Sequence, residues 1–543
     1  MKASLRERSA EISLACLLVG TLVLIGLLAA VPPVSRDALT HHLSVPKLYL
    51  QYGRMVELPH IECSYYPQLL DLLYCLPLYF KKDILPKYIH FGFALATAWL
   101  IFRYLRSRLP VGYAWVGALF FLTLPVIVKL SITVYVDLGL IFFTTAAMMS
   151  LLRWREKGAG WGSLLAAGVF AGLAAGTKYN GLIVVLLLFC ALPFLLPEQH
   201  KTSRQAAVRM AFFLVVALIV FSPWMIRNYI WTQNPVYPLY ARVFNGSDTD
   251  EGAPPEMGWT HFLARKYVYQ EKWWETVTTP VRIFFLGQDD NPRFFDGVLS
   301  PFLCLLPLLA FRGRAREIRA ELRFFLWFAV LYVLLAYLKT DMRVRYISPA
   351  ISGLVVLSVF GLHNLKHNLF HSSLKSRKLS GAAFAMLLAL VFAWNYHYLF
   401  RQFQQVRPLE YLSGQVTRDE YIARYVREYP LVRYVNRHTP GDAKILAMFL
   451  GRRQYYFDRD VRFKNNLFPP RAQQPPKSIE ELWGSLSAQG FTHILVRYDL
   501  FNQRLQNTFD DEQRKLIQAF FQNKLQLLHT QEGYGLYEIK GRL

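Results

Sequence analysis

The chain has 543 residues, of which 54% are hydrophobic and 15% aromatic, and its formal net charge is +24. A soluble domain rarely carries so much apolar surface, whereas apolar runs of about 20 residues are typical of helices that cross a bilayer. Backbone groups in lipid must be satisfied internally, and the runs do not alternate, so they predict helices rather than a closed barrel. Because no basic soluble domain precedes or interrupts the runs, the charge excludes a nucleic-acid partner and is instead typical of cytoplasmic loops.

Eleven apolar runs predict the membrane spans. They cover residues 11–31, 86–105, 111–129, 137–152, 160–177, 179–197, 207–226, 297–311, 321–339, 344–362 and 380–398. Basic clusters separate several of these runs. The clusters read RYLRSR, RWREK, HKTSRQAAVR, FRGRAREIR and KHNLFHSSLKSRK. If the N-terminus is cytoplasmic, every cluster falls on the cytoplasmic side, which is the side that positive loops favour. We therefore predict a cytoplasmic N-terminus and a C-terminal domain outside.

One apolar segment, residues 65–80, is short and contains Asp71. Counting it as a crossing would move all later basic clusters to the outer side, against the usual charge distribution. We predict that it is re-entrant or lies on the outer surface.

Two stretches outside the spans are long, the outer loops 32–85 and 227–296, and residues 399–543 form a separate domain. In that domain, KILAMFL and THILVRY are typical of buried strands, and LQLLHTQEGYGLYEI predicts a hairpin with Gly533 and Gly535 in its turn. The predicted fold is therefore mostly α, a polytopic transmembrane bundle of about 11–13 spans over residues 1–398 with a small C-terminal α/β domain.

Charged and amide side chains recur at the outer ends of the predicted spans. These residues are Asp37, Asp137, Lys178, Asn180, Arg227, Asn228, Lys339, Asp341, Arg343 and Arg345. A single charge at such a position is most often a side chain that snorkels to the interface. Two carboxylates and several cations on one face are harder to explain in that way, because each costs about 2.5–3.5 kcal/mol at the bilayer centre. We predict that they share one pocket for an anionic group on a lipid.

These residue types suit the chemistry of a lipid-linked phosphate. Arginine contacts phosphate bidentately and lysine offers a point charge, while a carboxylate can act as a general base or hold a divalent cation. Asp37 can equally cap the helix predicted over 38–50. The rings of His41 and His42 should diverge on that helix, so that at most one would join a metal site.

Several segments in order along the chain resemble one family. They are RDALTHHLSVPKLYLQYGR, VYVDLGLIFF, GTKYNGL, PWMIRNYIWTQNPVYP and RVRYISP, followed by PGDAKILAMFLGRRQYYFDRD and GFTHILVRYD near the C-terminus. Their order and sidedness are similar to those of the GT-C glycosyltransferases, and within them to the bacterial mannosyltransferase-like branch (ArnT-like and RgtA-like). Many mannosyltransferases have Asp-Glu in the first outer loop, whereas here Ala38 follows Asp37.

The resemblance implies transfer of a sugar from a polyprenyl-phosphate donor to a glycolipid, polysaccharide or protein acceptor, at the periplasmic face of the bacterial inner membrane. It implies catalytic roles for Asp37 and Asp137. The donor phosphate would be held by Lys178, Arg227, Arg343 and Arg345, and the acceptor, the sugar or a metal by His41, His42, Asn180 and Tyr346. A divalent metal is left open. Two alternatives also remain at this point, a flippase or carrier of lipid-linked sugars and an O-antigen-type ligase.

Overall fold

The computed structural model describes residues 5–156, 158–196, 202–245, 261–311, 316–369, 374–464, 476 and 478–541. The remaining positions include part of the predicted loop 227–296 and parts of the predicted basic clusters, which lie outside the described residues. The chain divides into two compact units. The helical unit comprises Met1–Val31 and Tyr65–Leu409, and the C-terminal unit comprises Pro32–Ser64 and Glu410–Leu543. The segment 32–64, expected as an outer loop of the bundle, thus groups with the C-terminal residues.

The helical unit is built from long helices joined by short helical segments. In chain order its helices are α1 (Leu5–Ala29), α3 (Leu69–Tyr79), α4 (Leu85–Arg106), α5 (Val111–Thr123), α6 (Pro125–Ser131), α7 (Asp137–Glu156), α8 (Trp161–Thr177), α9 (Asn180–Leu195), α10 (Ser203–Thr232), α11 (Ala241–Asn245), α12 (His261–Val268), α13 (Trp273–Val277), α14 (Thr279–Arg282), α15 (Phe302–Leu305), α16 (Arg316–Lys339), α17 (Ile351–Leu369) and α18 (Leu374–Val406). The helix α2 (Ser44–Tyr52) belongs to the C-terminal unit, and α19 (Pro408–Leu412) lies at the division.

Among the described residues, six helices are long and apolar enough to cross a membrane, and the bent pair α5–α6 raises that number to as many as seven. The six lie at Glu11–Ala29, Leu85–Arg106, Ser203–Thr232, Ile318–Lys339, Val344–His367 and Gly381–Val406. The chain is a multi-pass membrane protein. The segment predicted not to cross contains α3, whose 11 residues are too few to span about 30 Å of hydrocarbon.

Prolines break two of the predicted spans. The run 111–129 bends by 62° between α5 and α6, because Leu124 precedes Pro125 and takes an extended conformation with φ −54° and ψ 132°. The prediction of one continuous helix over 297–311 is wrong. That stretch forms the four-residue α15 and a 3₁₀ turn at Leu306–Leu309, in which Pro307 has no backbone N–H to continue an α-helix.

Small residues let α8 and α10 approach closely. A Cβ atom added at Gly172 would lie 2.6 Å from the carbonyl oxygen of Ala217 and 2.7 Å from Cβ of Val220, and one added at Gly168 would lie 2.9 Å from Cβ of Val216. Close backbone approach of this kind is how membrane helices gain packing energy when lipid supplies no hydrophobic driving force.

The C-terminal unit contains a five-stranded mixed sheet. Its strands are β1 (Lys444–Met448), β2 (Asp460–Lys464), β3 (His493–Arg497), β4 (Leu525–Gln531) and β5 (Tyr534–Ile539), in the order β2-β1-β3-β5-β4. The strand β1 pairs in parallel with β2 and β3, and β5 pairs antiparallel with β3 and β4. Five helices follow α19 in this unit, namely α20 (Arg418–Tyr425), α21 (Tyr429–His438), α22 (Ile479–Ala488), α23 (Tyr498–Thr508) and α24 (Asp511–Lys524).

Alternate residues of β3 fill the two faces of the sheet, as the pleat requires. Ile494 belongs to the cluster on one face and Leu495 to the cluster on the other. The predicted hairpin joins β4 and β5, with Gly533 in its turn at φ 85°. Gly535 lies within β5 rather than in the turn. A Cβ atom at this position would lie 1.9 Å from the hydroxyl of Tyr498, so the close approach of that tyrosine requires glycine.

We predict that Gly172→Ala destabilises the helical unit by about 1–3 kcal/mol, since the added methyl group forces α8 and α10 apart. The matched control is Gly162→Ala in the same helix, where an added Cβ meets nothing within 4 Å. The measurement is thermal unfolding in detergent. Equal midpoints for both variants would show that the close approach of α8 and α10 contributes nothing.

Candidate active site

The centre of the site in the helical unit is an ion pair. Asp137, the first residue of α7, is 1% exposed, and its Oδ1 accepts a hydrogen bond of 2.7 Å from Nζ of Lys178. The guanidinium of Arg345 also attracts this carboxylate. The other oxygen, Oδ2, is buried and has no hydrogen-bond partner among the described residues. An ionised carboxylate with one oxygen left unsatisfied is a place where a hydroxyl or cationic group of a ligand can bind.

The local sequence GTKYNG sets the position of Lys178. Its backbone is extended (φ −163°, ψ 144°) between the end of α8 and the start of α9. The turn is so tight that a Cβ on Gly181 would lie 2.2 Å from the carbonyl oxygen of Ala174. Glycine at this position therefore allows the lysine side chain to be aimed at Asp137 from a neighbouring helix pair.

The start of α7 is fixed by a histidine that sequence reasoning missed. His90, on α4, is fully buried, and its Nε2 accepts a hydrogen bond of 2.9 Å from the backbone N–H of Leu138. Its Nδ1 must then carry the proton, which it donates to the carbonyl oxygen of Leu130 at 2.9 Å. The ring thus ties α4 and α6 to the residue next to Asp137. A polar residue inside an apolar span was the available signal.

Three cationic side chains surround the ring of Tyr346. Nζ of Lys178 lies 5.1 Å from the ring centroid, and the guanidinium carbons of Arg345 and Arg343 lie 5.4 Å and 5.9 Å from it. Arg345 also lies 5.0 Å from the ring of Tyr135. Contacts of this kind hold cations near one another without neutralising them. The structure therefore brings together Asp137, Lys178, Arg345 and Tyr346.

Arg343 contacts two carboxylates. Its Nε donates to Asp341 at 3.0 Å and its Nη1 to Asp296 at 3.3 Å. Asp296 ends a loop closed by the bridge between Gln288 and Gly297. Two carboxylates on one guanidinium reduce the charge that this arginine can offer a ligand.

Arg227 is bound mainly by backbone oxygens. Its Nη2 donates to the carbonyl oxygens of Tyr65 and Tyr66 at 2.6 and 3.0 Å, and the side chain is 8% exposed. The neighbouring Asn228 accepts from Nε of Arg227 at 3.1 Å and donates to the hydroxyl of Tyr179 at 2.9 Å. These contacts fit a residue that anchors α10 to the segment before α3. The assignment of Arg227 to a donor phosphate stays a prediction.

Asn180 begins α9, and its carbonyl oxygen accepts a hydrogen bond of 3.2 Å from the hydroxyl of Tyr332. A divalent metal would need several oxygen or nitrogen ligands. Among the residues that the structure describes, no three or more His, Cys, Asp or Glu side chains gather into a group that could hold a metal ion. The described residues therefore do not form a metal cage.

In the C-terminal unit, Asp37 stands at the start of an unusual turn. Residues Ala38–His42 form a π-helical turn in which the N–H of Leu43 donates to the carbonyl oxygen of Ala38 at 2.9 Å, and the α-helix α2 follows. The alternative that Asp37 is a helix cap is wrong, because its side chain makes no capping hydrogen bond. Single π turns are rare and occur often at functional sites.

The rings of His41 and His42 do not diverge as expected for an α-helix. Their centroids lie 4.0 Å apart with an interplanar angle of 46°. The wider π turn rotates successive side chains by a smaller angle, so that adjacent rings can meet.

The segment with Asp37 is held by residues more than 400 positions away in sequence. Nζ of Lys47 donates to the carbonyl oxygens of Tyr455 and Phe457 at 2.9 and 2.8 Å and to Asp458 at 3.0 Å. The N–H of Tyr455 donates to the carbonyl oxygen of Leu39 at 3.1 Å. Leu39 itself is fully buried in an apolar cluster of this unit. The C-terminal residues therefore fix the backbone of the π turn.

Solved structures define the class to which this architecture belongs. The chain is similar to ArnT from Cupriavidus metallidurans in the apo state, with a TM-score of 0.60 and 12% identity over 97% of this chain and 98% of that one. The same protein bound to undecaprenyl phosphate gives a TM-score of 0.57 and 12% identity over 96% and 97% of the two chains. The apo oligosaccharyltransferase from Archaeoglobus fulgidus gives a TM-score of 0.53 and 12% identity over 92% of this chain and 71% of that one. The chain has the GT-C fold, which confirms the predicted helical bundle with a small C-terminal sheet domain.

The sequence itself matches a family model. Residues 88–226 match the model described as dolichyl-phosphate-mannose-protein mannosyltransferase, a segment that contains His90, Asp137 and Lys178. No curated protein sequence matches the chain. The predicted resemblance to GT-C proteins is confirmed at the level of the fold, and the assignment to the ArnT-like and RgtA-like bacterial branch stays a prediction.

We predict that Lys178→Met destabilises the helical unit by about 3–5 kcal/mol, because it leaves the Asp137 carboxylate buried without its ammonium partner. Thermal unfolding in detergent measures this loss. Adding Asp137→Asn to the same chain should restore most of it, and Lys82→Met, at an exposed lysine of the same unit, should change little. Additive effects of the two site substitutions would contradict a coupled pair.

We predict that Lys47→Met loosens the π turn, because three oxygen acceptors lose the ammonium that donates to them. Hydrogen bonds to charged groups contribute about 1.5–3 kcal/mol each. Amide hydrogen exchange, followed by mass spectrometry, should become about tenfold faster or more over residues 38–47. Lys515→Met replaces an exposed lysine on α24 and serves as the control. Unchanged exchange in Lys47→Met would mean that this lysine does not hold the segment.

Proposed function

We propose that this protein transfers a sugar from a polyprenyl-phosphate donor to a hydroxyl or amine of an acceptor, and that Lys178 and Arg345 receive the phosphate. The observation that carries the proposal is the cluster around Tyr346, in which the cationic side chains of Lys178 and Arg345 lie beside the buried carboxylate of Asp137. Cationic side chains gathered in this way, in a membrane protein with the GT-C fold, suit an anionic headgroup on a lipid.

The chemistry follows from where charge develops. The acceptor oxygen or nitrogen attacks the anomeric carbon of the sugar, the bond from that carbon to the phosphate oxygen breaks, and polyprenyl phosphate leaves with one more negative charge. Lys178 and Arg345 stabilise that charge in surroundings of low dielectric constant, where fixed cations are most effective. Oδ2 of Asp137, which has no hydrogen-bond partner among the described residues, accepts a hydrogen bond from a ligand hydroxyl.

Asp37 takes the proton of the acceptor. It is a half-buried carboxylate on a π turn whose backbone is held by Lys47 and Tyr455. A general base needs this kind of fixed orientation to be effective. The acidic position after the first span of GT-C enzymes supports this role. Contacts with the acceptor or the sugar are proposed for His41, His42 and Asn180. Arg343 is proposed to contact the donor phosphate.

Ligands of similar solved structures support a lipid donor. ArnT from Cupriavidus metallidurans was crystallised with undecaprenyl phosphate, and the Archaeoglobus oligosaccharyltransferase was determined with dolichol phosphate and an inhibitory peptide. We propose for this chain a bacterial inner-membrane location, a cytoplasmic N-terminus and a periplasmic C-terminal domain, with a glycolipid, polysaccharide or protein as acceptor. The similarity to structures of transferases favours transfer over a flippase or an O-antigen-type ligase.

The test is transfer of radiolabelled sugar in membranes, from undecaprenyl phosphate charged with each of a panel of hexoses and pentoses. Asp37→Asn should lower turnover about 10²–10⁴-fold, since it removes the base. Arg345→Gln should lower it about 10²–10³-fold, since it removes one stabilising cation. Asp442→Asn, at an exposed aspartate of the C-terminal unit, is the matched control. Near-normal turnover in a folded Asp37→Asn protein would refute the assigned base, and lipid translocation without transfer would refute the reaction.

A further inference from the structure

A second basic cluster lies at one edge of the C-terminal sheet. Lys444 begins β1, while Arg462 and Lys464 belong to the adjacent parallel strand β2. His60, from the segment 32–64 of the same unit, lies within electrostatic reach of Arg462 and Lys444. We call these four residues the basic edge. None of them takes part in the transfer chemistry described above.

The two lysines of the basic edge converge on one residue. Nζ of Lys444 donates to the backbone carbonyl oxygen of Gln489 at 2.8 Å, and Nζ of Lys464 donates to its side-chain oxygen at 2.7 Å. The same two nitrogens lie 5.5 and 5.6 Å from the ring centroid of Phe491. Both ammonium groups are thus held at one place on the surface, each with further donor capacity.

Positive charge in the basic edge exceeds negative charge. Asp460 is already engaged by Arg462, with its Oδ1 2.9 Å from Nε. Among the described residues, the charges that act on Lys464 are those of Lys444 and Arg462, and together with burial they lower the pKa of its ammonium. Burial and the nearby charges of Arg462 and Lys444 lower the pKa of His60 to about 4, although Asp460 acts in the opposite direction.

A structural explanation accounts for part of this arrangement. Lysine stems commonly lie along aromatic rings while the ammonium caps a carbonyl group. It does not account for the gathering of like charges, which repel one another and weaken the folded state. Nor does it account for Nδ1 of His60, which is buried and has no hydrogen-bond partner among the described residues. An anion beside the two lysines would offset the repulsion between their charges, and one that extends to His60 would accept a hydrogen bond from Nδ1 when that nitrogen carries the proton.

We propose that the basic edge binds an oxyanion, a phosphate or a carboxylate, that is carried by the acceptor which the protein glycosylates. That the anion belongs to the acceptor rests on the proposed function. That the basic edge binds an anion rests on its geometry alone. Lysine acts as a point charge rather than a planar fork. A phosphate with nearly two negative charges should therefore bind more tightly than a carboxylate with one.

The binding experiment uses the full chain in neutral detergent, with excess undecaprenyl phosphate present to occupy the donor site. Sodium pyrophosphate and sodium succinate are titrated calorimetrically at constant ionic strength. We expect pyrophosphate to bind more tightly than succinate, and the double variant Lys444→Gln/Lys464→Gln to bind pyrophosphate at least tenfold more weakly. Lys444→Arg/Lys464→Arg should retain binding, since it keeps both charges.

The matched control is Lys515→Gln/Lys540→Gln, which removes two exposed lysines from the same unit. An equal loss of pyrophosphate binding in this control would overturn the proposal, because it would show a general effect of net charge. Undiminished binding in the basic-edge variant would overturn it as well. Hydrogen exchange over β1 and β2 establishes that the variants are folded.

Transfer kinetics separate this inference from the proposed function. With a total glycolipid extract as acceptor, the basic-edge variant should raise the apparent KM for the extract about tenfold and leave kcat and the KM for the donor unchanged. If Asp37→Asn retains full transfer while pyrophosphate binding depends on the basic edge, the proposed base fails and the anion site stands. If transfer depends on Asp37 but the KM for the extract is unchanged, the acceptor role of the basic edge fails.

Discussion

The helical unit depends on one constraint, that the carboxylate of Asp137 is buried and must be neutralised where it lies. Removing an ion from water costs several kcal/mol, and only a well-placed partner returns that energy. Lys178 supplies the partner at 2.7 Å. The pair therefore fixes the start of α7 against the turn between α8 and α9, and His90 fixes the next residue, Leu138, against α4 and α6.

The cations of this arrangement lie beside the buried carboxylate of Asp137. Lys178 and Arg345 both attract Asp137, while Arg343 is occupied by Asp341 and Asp296. The ring of Tyr346 allows the cations to remain close, since its π face offsets some of their repulsion. A binding site of this design is preorganised. An incoming phosphate meets cations that are already in place, and little reorganisation is needed as charge develops.

The sequence predicted the residues whose signal is local and missed those whose partners are distant. Asp137, Lys178, Arg345 and Tyr346 flank apolar runs, and the position of a charge at the end of a run is visible without coordinates. Arg227 has the same local signal, yet backbone carbonyl groups hold it. Composition cannot distinguish a carbonyl partner from a phosphate. The two broken spans cannot be recognised from the length of the apolar runs alone, because Pro125 and Pro307 change the backbone within them.

The membership of residues 32–64 in the C-terminal unit shows how far such distant contacts extend. No local pattern links Lys47 to the 455–458 segment, since some four hundred residues of chain separate them. Their contact means that the stability of the C-terminal sheet is shared with the turn that carries Asp37. Helices α20 and α21 contribute Ile422 and Tyr429 to the cluster that buries Leu39. A substitution in these helices can therefore change the orientation of the acid without touching it. In a transferase, this would couple the surface available for an acceptor to the group that deprotonates it.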